Sequence, residues 1–352
     1  GKPKGVVVPH RGIIRLVRNQ DYMTFGPDLA FLHLSNISFD LSTLEIWGAL
    51  LNGGRLVLQP QAKPTLQEIS DTIKRHKVTS LWFTVGLFNL MVDDQLEGLL
   101  GLRHILAGGD VLSVPHVKKA LRALGPGVLI NGYGPTENTT FTTCFKIDKE
   151  ADITDSVPIG PALNNTTVYV LDENLKPVPI GQKGELYTGG DGVALGYWNR
   201  DDLTAERFID DPWSTVPGAK LYRTGDIVRW HSDGNIAFIG RADGQVKVRG
   251  FRVELGEVEN ALNDLDRVKD KVVVARQDGP VEKQLVCYIV PKDPKDLESA
   301  DSTDRFIHDV REHLRGKMPG YMVPTAFVAL EALPLTANAK IDRKALPAPS
   351  TR

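Results

Sequence analysis

Short apolar runs alternate with stretches of helical periodicity over the first two-thirds of the chain. From Thr65 to Val78 and from Ser113 to Leu124, apolar residues recur every three or four positions, which predicts two helices. The apolar runs around them predict strands at 56–58, 79–83, 104–107 and 128–131. Strands and helices that alternate in this way predict stacked α/β layers.

The ends of both predicted helices carry capping signals. Thr65 and Glu68 have the spacing of a capping box, in which each residue binds the other's backbone N–H. Ser113 is the expected N-cap of the second helix, and Gly125 is placed to end it.

From Thr166 onward the pattern is mostly β, with a turn signal at 232–234 leading into a hairpin. A second turn signal at 242–244 is followed by a smaller α+β pattern. Its predicted elements are helices at 253–265 and 304–315 and strands at 271–275, 285–290 and 327–330. We therefore expect a large subdomain over 1–242, a small mobile subdomain over 243–347 and a linker over 348–352.

Composition and charge narrow the class of protein. The 352 residues are 41% hydrophobic and 24% charged, with a net charge of −2, so we expect neither a nucleic-acid nor a membrane-surface partner. Cys144 and Cys287 lie in apolar runs without a C-x-x-C partner, which indicates buried free thiols in a reducing compartment. We expect a cytoplasmic protein.

One loop has a composition suited to a nucleotide. In Asn131-Gly132-Tyr133-Gly134-Pro135-Thr136-Glu137, small residues allow a ligand close to the backbone, and the tyrosine offers a flat face for a base. The threonine hydroxyl could bind a phosphate and the glutamate could bind Mg²⁺. The competing interpretation is a plain Gly/Pro loop after a strand, with the glutamate merely solvated.

Eight further segments are weak signals singly, but their order along the chain is informative. Each of them, taken singly, is also compatible with an ordinary turn or a solvated surface. They are Gly1 to Gly5, Ser38 to Ser42, Gly184 to Leu186, Gly196-Tyr197, Tyr222 to Asp226, Gly240 to Gly256, Met318 to Pro324 and Asn338 to Arg343. Together with the loop at 131–137, this series resembles the core motifs of the adenylate-forming enzymes, and specifically the adenylation domains of nonribosomal peptide synthetases.

The resemblance implies a nucleotide site. Tyr133 would stack on adenine, while Asp226 and Arg241 would hold the ribose. Thr136 would bind a phosphate and Glu137 would bind Mg²⁺. The other residues that the resemblance places at the nucleotide are Lys4, Asn131, Gly132 and Gly134.

The resemblance also implies a two-step reaction. Lys340, with Thr136 and Glu137, would serve the attack of an amino-acid carboxylate on ATP. Asp243 would be the hinge of the small subdomain. The tunnel for the phosphopantetheine thiol of a carrier domain would be lined by Lys247, Arg249 and Gly250. Partners would be that carrier domain and other synthetase domains.

The resemblance further implies a substrate pocket. Asp40 would pair with the substrate ammonium and Lys340 with its carboxylate. The side-chain wall would be Leu41, Leu44, Gly86, Ile105, Ala107, Gly132, Thr140 and Phe141. This wall contains no charge, and a charged side chain buried there would cost several kcal/mol. Because Gly86 and Gly132 leave room, we expect an apolar α-amino acid of good size.

Two alternatives remain open at this point. An acyl-CoA ligase of the same superfamily would act on an acid without an amine, and Asp40 argues against it. A nucleotide- and carrier-binding module without turnover is the second alternative. It is favoured by the absence, relative to the family pattern, of an upstream part of the large subdomain.

Overall fold

The computed structural model describes residues 4–61, 63–153, 156–242, 246–248, 251–253, 255–277, 284–334, 341–343 and 345–349. The chain divides into two compact units, Lys4–Asp243 and Gly244–Arg352. Each unit has its own apolar clusters. None of the described helices is long and apolar enough to cross a membrane.

The first part of the larger unit is a layered α/β structure. Its helices are α1 (His10–Val17), α2 (Leu41–Leu50), α3 (Leu66–His76), α4 (Val85–Asp94) and α5 (Val114–Leu124). Its strands are β1 (Ala30–His33), β2 (Arg55–Leu58), β3 (Ser80–Thr84), β4 (His104–Gly108), β5 (Leu129–Tyr133) and β6 (Thr143–Lys146). They form one sheet in the order β2-β1-β3-β4-β5-β6, parallel except for β6.

Both faces of this sheet are covered, which explains the continuous apolar runs of its strands. Because successive side chains of a strand point to opposite faces, Ile105 and Leu106 enter different apolar clusters. Ile105 packs in the cluster that includes residues of α3, α4 and α5. Leu106 packs in the cluster that includes residues of α1 and α2. The sheet is therefore the middle of three layers.

The second part of the larger unit is an antiparallel sheet with one short helix. Its elements are β7 (Thr166–Leu171), β8 (Lys183–Gly190), α6 (Asp201–Arg207), β9 (Phe208–Asp210), β10 (Lys220–Trp230) and β11 (Ile236–Arg241). The strands lie in the order β11-β10-β8-β7, and β9 also pairs with β10. The predicted hairpin after Trp230 is confirmed, with Gly234 at a φ of 84° in the turn.

The smaller unit is α+β. Its elements are β12 (Val246–Val248), β13 (Phe251–Val253), α7 (Leu255–Ala261), β14 (Val268–Arg276), β15 (Gln284–Pro291), α8 (Ala300–Arg315) and β16 (Ala326–Ala329). β12 and β13 form a hairpin, while β15 lies between an antiparallel β14 and a parallel β16. Phe306, Val310 and Leu314 of α8 are fully buried in this unit's core.

Two predicted helix boundaries need correction. The helix predicted from Val253 to Leu265 is the shorter α7, because Phe251–Val253 pairs as strand β13. α8 begins at Ala300 rather than at Asp304, because Ser299 and Ser302 form a capping box ahead of it. The motif from Tyr222 to Asp226, which by itself was also compatible with a turn, lies within strand β10.

Both cysteines are buried and free, as predicted. Burial raises the pKa of each thiol above its ordinary value, because the thiolate would lose its hydration. Neither group is therefore a ready nucleophile.

Candidate active site

The loop predicted to hold the nucleotide connects the parallel strand β5 to the antiparallel β6. Its residues 134–142 leave the carboxyl end of β5 and fold back, so that the Thr142 N–H donates to the Tyr133 carbonyl over 2.8 Å. A Cβ built at Gly134 would lie 2.3 Å from the Thr140 carbonyl oxygen, so the closed loop requires glycine there. The carboxyl ends of parallel strands are where open α/β sheets bind ligands.

Tyr133, Asp226 and Arg241 meet although they are distant in sequence. The Tyr133 hydroxyl donates to Oδ2 of Asp226, and Arg241 Nη1 donates to Oδ1 over 2.6 Å. A bulge in β10 between Arg223 and Ile227, with Gly225 at a φ of 75°, turns the Asp226 carboxylate to this position. Burial, followed by the charge of Asp226, raises the pKa of Tyr133, so its hydroxyl remains a donor.

Glu137 lies in a second cluster, together with Tyr197. Its buried carboxylate accepts a hydrogen bond from the Tyr197 hydroxyl, and the Ala194 N–H donates to its carbonyl over 2.8 Å. The exposed Lys4 has its Nζ 6.0 Å from the centroid of the Tyr197 ring. Burial, followed by the charge of Glu137, raises the pKa of Tyr197. The Tyr197 hydroxyl therefore stays protonated and remains the hydrogen-bond donor.

Tyr197 was not predicted as a site residue, although the Gly196-Tyr197 pair is one of the motifs of the series. Its segment runs beside Lys4 because the Trp198 N–H donates to the Gly5 carbonyl over 2.7 Å. The motif was the signal that could have identified it. Its contact with Glu137 depends on tertiary structure.

Asp40 lies immediately before α2, at the start of which its side chain makes no cap. Oδ2 of Asp40 accepts a hydrogen bond from the Thr136 hydroxyl over 2.7 Å, and its backbone carbonyl accepts one from the Thr140 hydroxyl over 2.9 Å. The residue predicted to meet the substrate ammonium is thus fixed by the same loop that carries the predicted phosphate and metal ligands.

The predicted pocket wall is brought together only in part. Leu44 and Phe141 share one buried cluster with Trp82, whereas Ile105 and Ala107 belong to the cluster on the other side of the sheet. Thr140 is buried beside Asp40, and Leu41 and Gly86 are half-buried in the first turns of α2 and α4. The substrate roles of these residues stay predictions.

The expectation that Gly132 leaves room for the substrate is wrong. A Cβ built at Gly132 would lie 2.6 Å from the Phe141 ring, so the ring occupies that space. Phe141 also stacks at an angle on Trp82, with ring centroids 5.4 Å apart. Gly132 therefore adds no free volume for a substrate side chain.

Asn131 has a structural contact of its own. Its side-chain amide donates to the Pro158 carbonyl over 2.7 Å, and the residue is buried. This bond fixes β5 to the segment that leads into the antiparallel sheet.

Several predicted residues lie outside the described part of the chain. They are Lys340, Asp243, Arg249 and Gly250, together with the side chain of Lys247, whose backbone belongs to β12. Their roles stay predictions.

The residues around Glu137 fit the magnesium ion that the resemblance implies. Mg²⁺ is usually bound by one or two protein carboxylates together with substrate phosphates and water. Glu137 supplies one such carboxylate, buried and oriented by Tyr197. Among the described residues no group of three or more His, Cys, Asp or Glu side chains could hold a metal. Phosphate oxygens of a nucleotide would complete the coordination.

Comparisons with known families cover both units. Residues 1–198 match the family described as AMP-binding enzyme, and residues 257–340 match the family described as AMP-binding enzyme C-terminal domain. Linear gramicidin synthase subunits C and B from Brevibacillus parabrevis are 52% and 54% identical over 349 residues. The alignments cover 99% of this chain but only 4% and 7% of those proteins.

Solved structures of adenylation-domain proteins are also similar to nearly the whole of this chain. One nonribosomal peptide synthetase protein with adenylation and carrier domains, bound to a vinylsulfonamide inhibitor, is 39% identical with a TM-score of 0.85. The match covers 98% of this chain and 57% of that one. Klebsiella oxytoca NpsA in complex with 3-hydroxyanthranilyl-AMSN is 33% identical with a TM-score of 0.65, over 97% and 67% of the two chains.

Proposed function

Since this chain belongs to the AMP-binding enzymes, among the adenylation domains of nonribosomal peptide synthetases, we propose that it activates an amino acid with ATP. The substrate carboxylate oxygen attacks the α-phosphorus of ATP, and the bond to the β-phosphate breaks. The products are an aminoacyl-adenylate and pyrophosphate. The observation that carries this proposal is the loop 134–142, from which contacts reach Asp40 while Glu137 contacts Tyr197.

The nucleotide would be held from two sides of that loop. Tyr133 would offer its ring to adenine, while Asp226, oriented by Arg241, would accept hydrogen bonds from the ribose hydroxyls. Glu137 would hold Mg²⁺, which when bound neutralises phosphate charge and stabilises the charge that develops on the leaving pyrophosphate. Lys4, whose Nζ lies 6.0 Å from the centroid of the Tyr197 ring, would add positive charge.

The amino acid would be held by opposite charges at its two ends. Asp40 would receive the ammonium group, and Lys340 would receive the carboxylate and bring it toward the α-phosphorus. Two anions must meet in this step, so positioning and charge stabilisation account for most of the catalysis. The loss of one well-placed donor typically lowers the rate by about 10²–10³-fold.

An apolar side chain on the substrate is supported by the surroundings of Asp40. Leu44, Phe141 and Trp82 form a buried apolar cluster next to the loop that fixes it. A charged side chain brought there would lose its hydration without gaining an opposite charge.

In a second step, the acyl group would pass to a carrier domain. The thiol sulfur of phosphopantetheine would attack the acyl carbon to form a thioester and lose its proton to solvent, and AMP would leave with the electron pair of the broken bond between the acyl carbon and the phosphate oxygen. Relatives that contain an adenylation domain with a carrier domain support this partner. The chain spans only a small part of its curated relatives, so the carrier and the other synthetase domains belong to the proposal.

An aryl acid is the second candidate substrate. Klebsiella oxytoca NpsA was solved with 3-hydroxyanthranilyl-AMSN, and it is 33% identical to this chain. Asp40 favours the amino acid, because an acid without an α-amine would bring no cation to that carboxylate.

ATP–pyrophosphate exchange tests both candidate substrates. It is measured with each proteinogenic amino acid and with a set of aryl acids. We expect exchange with apolar amino acids and its loss in both Asp40→Ala and Lys340→Ala. Exchange only with acids that lack an amine would overturn the amino-acid proposal. If this chain is inactive while its complete polypeptide exchanges, the segment binds without turning over.

A further inference from the structure

A buried arginine lies beneath the loop that fixes Asp40. Arg15, on α1, is 3% exposed, and its guanidinium donates to the Asn138 carbonyl over 2.7 Å and to the Phe141 carbonyl over 2.6 Å. Its Nε has no hydrogen-bond partner among the described residues. The guanidinium is therefore committed to two backbone carbonyls of one loop, and not to a carboxylate.

The two residues between those carbonyls have an unfavourable backbone conformation. Thr139 and Thr140 have φ angles of 51° and 71°. For β-branched residues this left-handed conformation is rare and strained, and it persists only where the surroundings impose it. Two such residues in succession need an external restraint on both sides, and the two carbonyls bound by Arg15 flank them.

This turn is connected directly to the proposed amino-acid site. The Thr140 hydroxyl donates to the Asp40 carbonyl over 2.9 Å, and the Thr136 hydroxyl donates to its carboxylate over 2.7 Å. The Thr139 hydroxyl donates to the Gly192 carbonyl over 2.7 Å and so ties the turn to the neighbouring segment. A shift of the turn would move both groups that hold Asp40.

The packing around Arg15 leaves it one position. A Cβ built at Gly192 would lie 1.7 Å from Arg15 Nη2, and one built at Gly12 would lie 2.5 Å from the Thr139 hydroxyl. Glycine at both positions lets α1 and the segment at 192 close on the turn. Burial lowers the pKa of Arg15 to about 10, and it stays charged at neutral pH.

We propose that Arg15 is a positioning residue for the amino-acid site. Arg15 binds the carbonyls on both sides of the strained Thr139–Thr140 turn. It thereby fixes the hydroxyls of Thr136 and Thr140, which hold Asp40. This inference rests on the proposed function. Arg15 would act on the site through these backbone carbonyls.

The test uses the complete polypeptide with Arg15→Met, Arg15→Lys and Gly192→Ala. The last variant displaces the guanidinium without removing its charge. Arg18→Met is the matched control, because Arg18 directly follows α1 but binds the Leu51 carbonyl and the Asn52 side chain at the end of α2. Pyrophosphate exchange gives the KM for ATP and the KM for the amino acid that the wild type exchanges best.

For Arg15→Met and Gly192→Ala we expect the KM for the amino acid to rise at least about tenfold, with the KM for ATP changed less than about twofold. Arg15→Lys keeps the charge but only part of the hydrogen bonding to the two carbonyls, so the rise in the KM for the amino acid should be intermediate. Amide hydrogen exchange over 136–142 and 37–41 should accelerate in the same variants and not in Arg18→Met.

Other results would overturn the proposal. Equal changes in both KM values, an unchanged KM for the amino acid in a folded Arg15→Met protein, or failure of every Arg15 and Gly192 variant to fold would assign Arg15 to stability alone. The failure of the proposed function is distinct, because the wild type would then exchange with no amino acid. Amide exchange would in that case still decide whether Arg15 holds the turn.

Discussion

At the scale of residues, hydroxyl groups orient each carboxylate of the candidate site. The Thr136, Tyr197 and Tyr133 hydroxyls donate to Asp40, Glu137 and Asp226 respectively. A hydrogen bond to the charged form of a carboxylate favours that form, and it also fixes the direction of the lone pairs. The site is thus held in a geometry suited to cations and to ribose hydroxyls before a ligand arrives.

A buried histidine outside the site gives a prediction about pH. His104 Nε2 accepts a hydrogen bond from the Thr24 N–H over 3.2 Å, so its Nδ1 carries the proton and donates to Ser80 Oγ over 3.0 Å. Protonation of Nε2 would break the first bond. Burial, followed by the charges of Lys146 and Arg103, lowers the pKa of His104 from 6.5 to about 4.

Between pH 6.5 and about pH 4, His104 binds a proton in the unfolded chain but not in the folded protein. The free energy of unfolding should therefore fall as the pH drops from 6.5 toward 4, by roughly 2 kcal/mol from this group. His104→Gln should flatten the dependence, measured by urea unfolding at several pH values, while the exposed His10→Gln should not. An unchanged slope in His104→Gln would contradict the assignment.

At the scale of elements, similar sequence signals gave different caps. Thr65 accepts from the Glu68 N–H over 3.2 Å, and the Thr65 N–H donates to the Glu68 carboxylate over 2.7 Å, which is the predicted capping box of α3. Ser113 precedes α5 as predicted, but its hydroxyl makes no cap and pairs instead with His116 Nδ1 over 2.6 Å. Residue type alone does not distinguish the two.

Because the two caps differ, alanine at Thr65 and alanine at Ser113 should lower the free energy of unfolding by different amounts. Thr65→Ala should lower the free energy of unfolding by about 1 kcal/mol, because it leaves a helix N–H without its acceptor. Ser113→Ala should cost less, because no backbone N–H of α5 depends on that hydroxyl. Urea unfolding followed by tryptophan fluorescence compares the two, and a larger loss in Ser113→Ala would contradict the prediction.

At the scale of the whole molecule, the two units have separate cores. The larger unit has clusters on both faces of its parallel sheet. In the smaller unit, α8 packs onto β14 and β15 around the fully buried Phe306, Val273 and Cys287. A unit with its own apolar core can fold on its own.

We therefore expect residues 244–352 to fold alone. Circular dichroism should record one cooperative thermal transition. Phe306→Ala should abolish it or lower its midpoint strongly, because a buried Phe-to-Ala change costs about 3–5 kcal/mol. Arg305→Ala, one position earlier and exposed, is the control. A broad transition in the unmodified segment would show that this unit needs the larger one.

Much of the fold could be predicted because it is encoded locally. β4 and β5 were predicted from short, mostly apolar runs, and α3 and α5 from apolar residues at helical spacing together with signals at their ends. β1, α1, α2 and α4 were not predicted. α1 has only eight residues and follows Pro9 without a capping side chain to mark its start, and α2 and α4 are too apolar to show two different faces.

The sequence by itself identified the family, through the order of its motifs. Residue type marked Glu137 and Asp226 as candidate site residues, and the resemblance added Asp40. Tertiary structure alone decided which groups meet, since Tyr133 and Asp226 are 93 positions apart and Arg15 and Phe141 are 126 apart. It also filled the space beside Gly132 with an aromatic ring. Periodicity records which side of an element is buried, but contacts between distant loops depend on how the layers close, which no local pattern encodes.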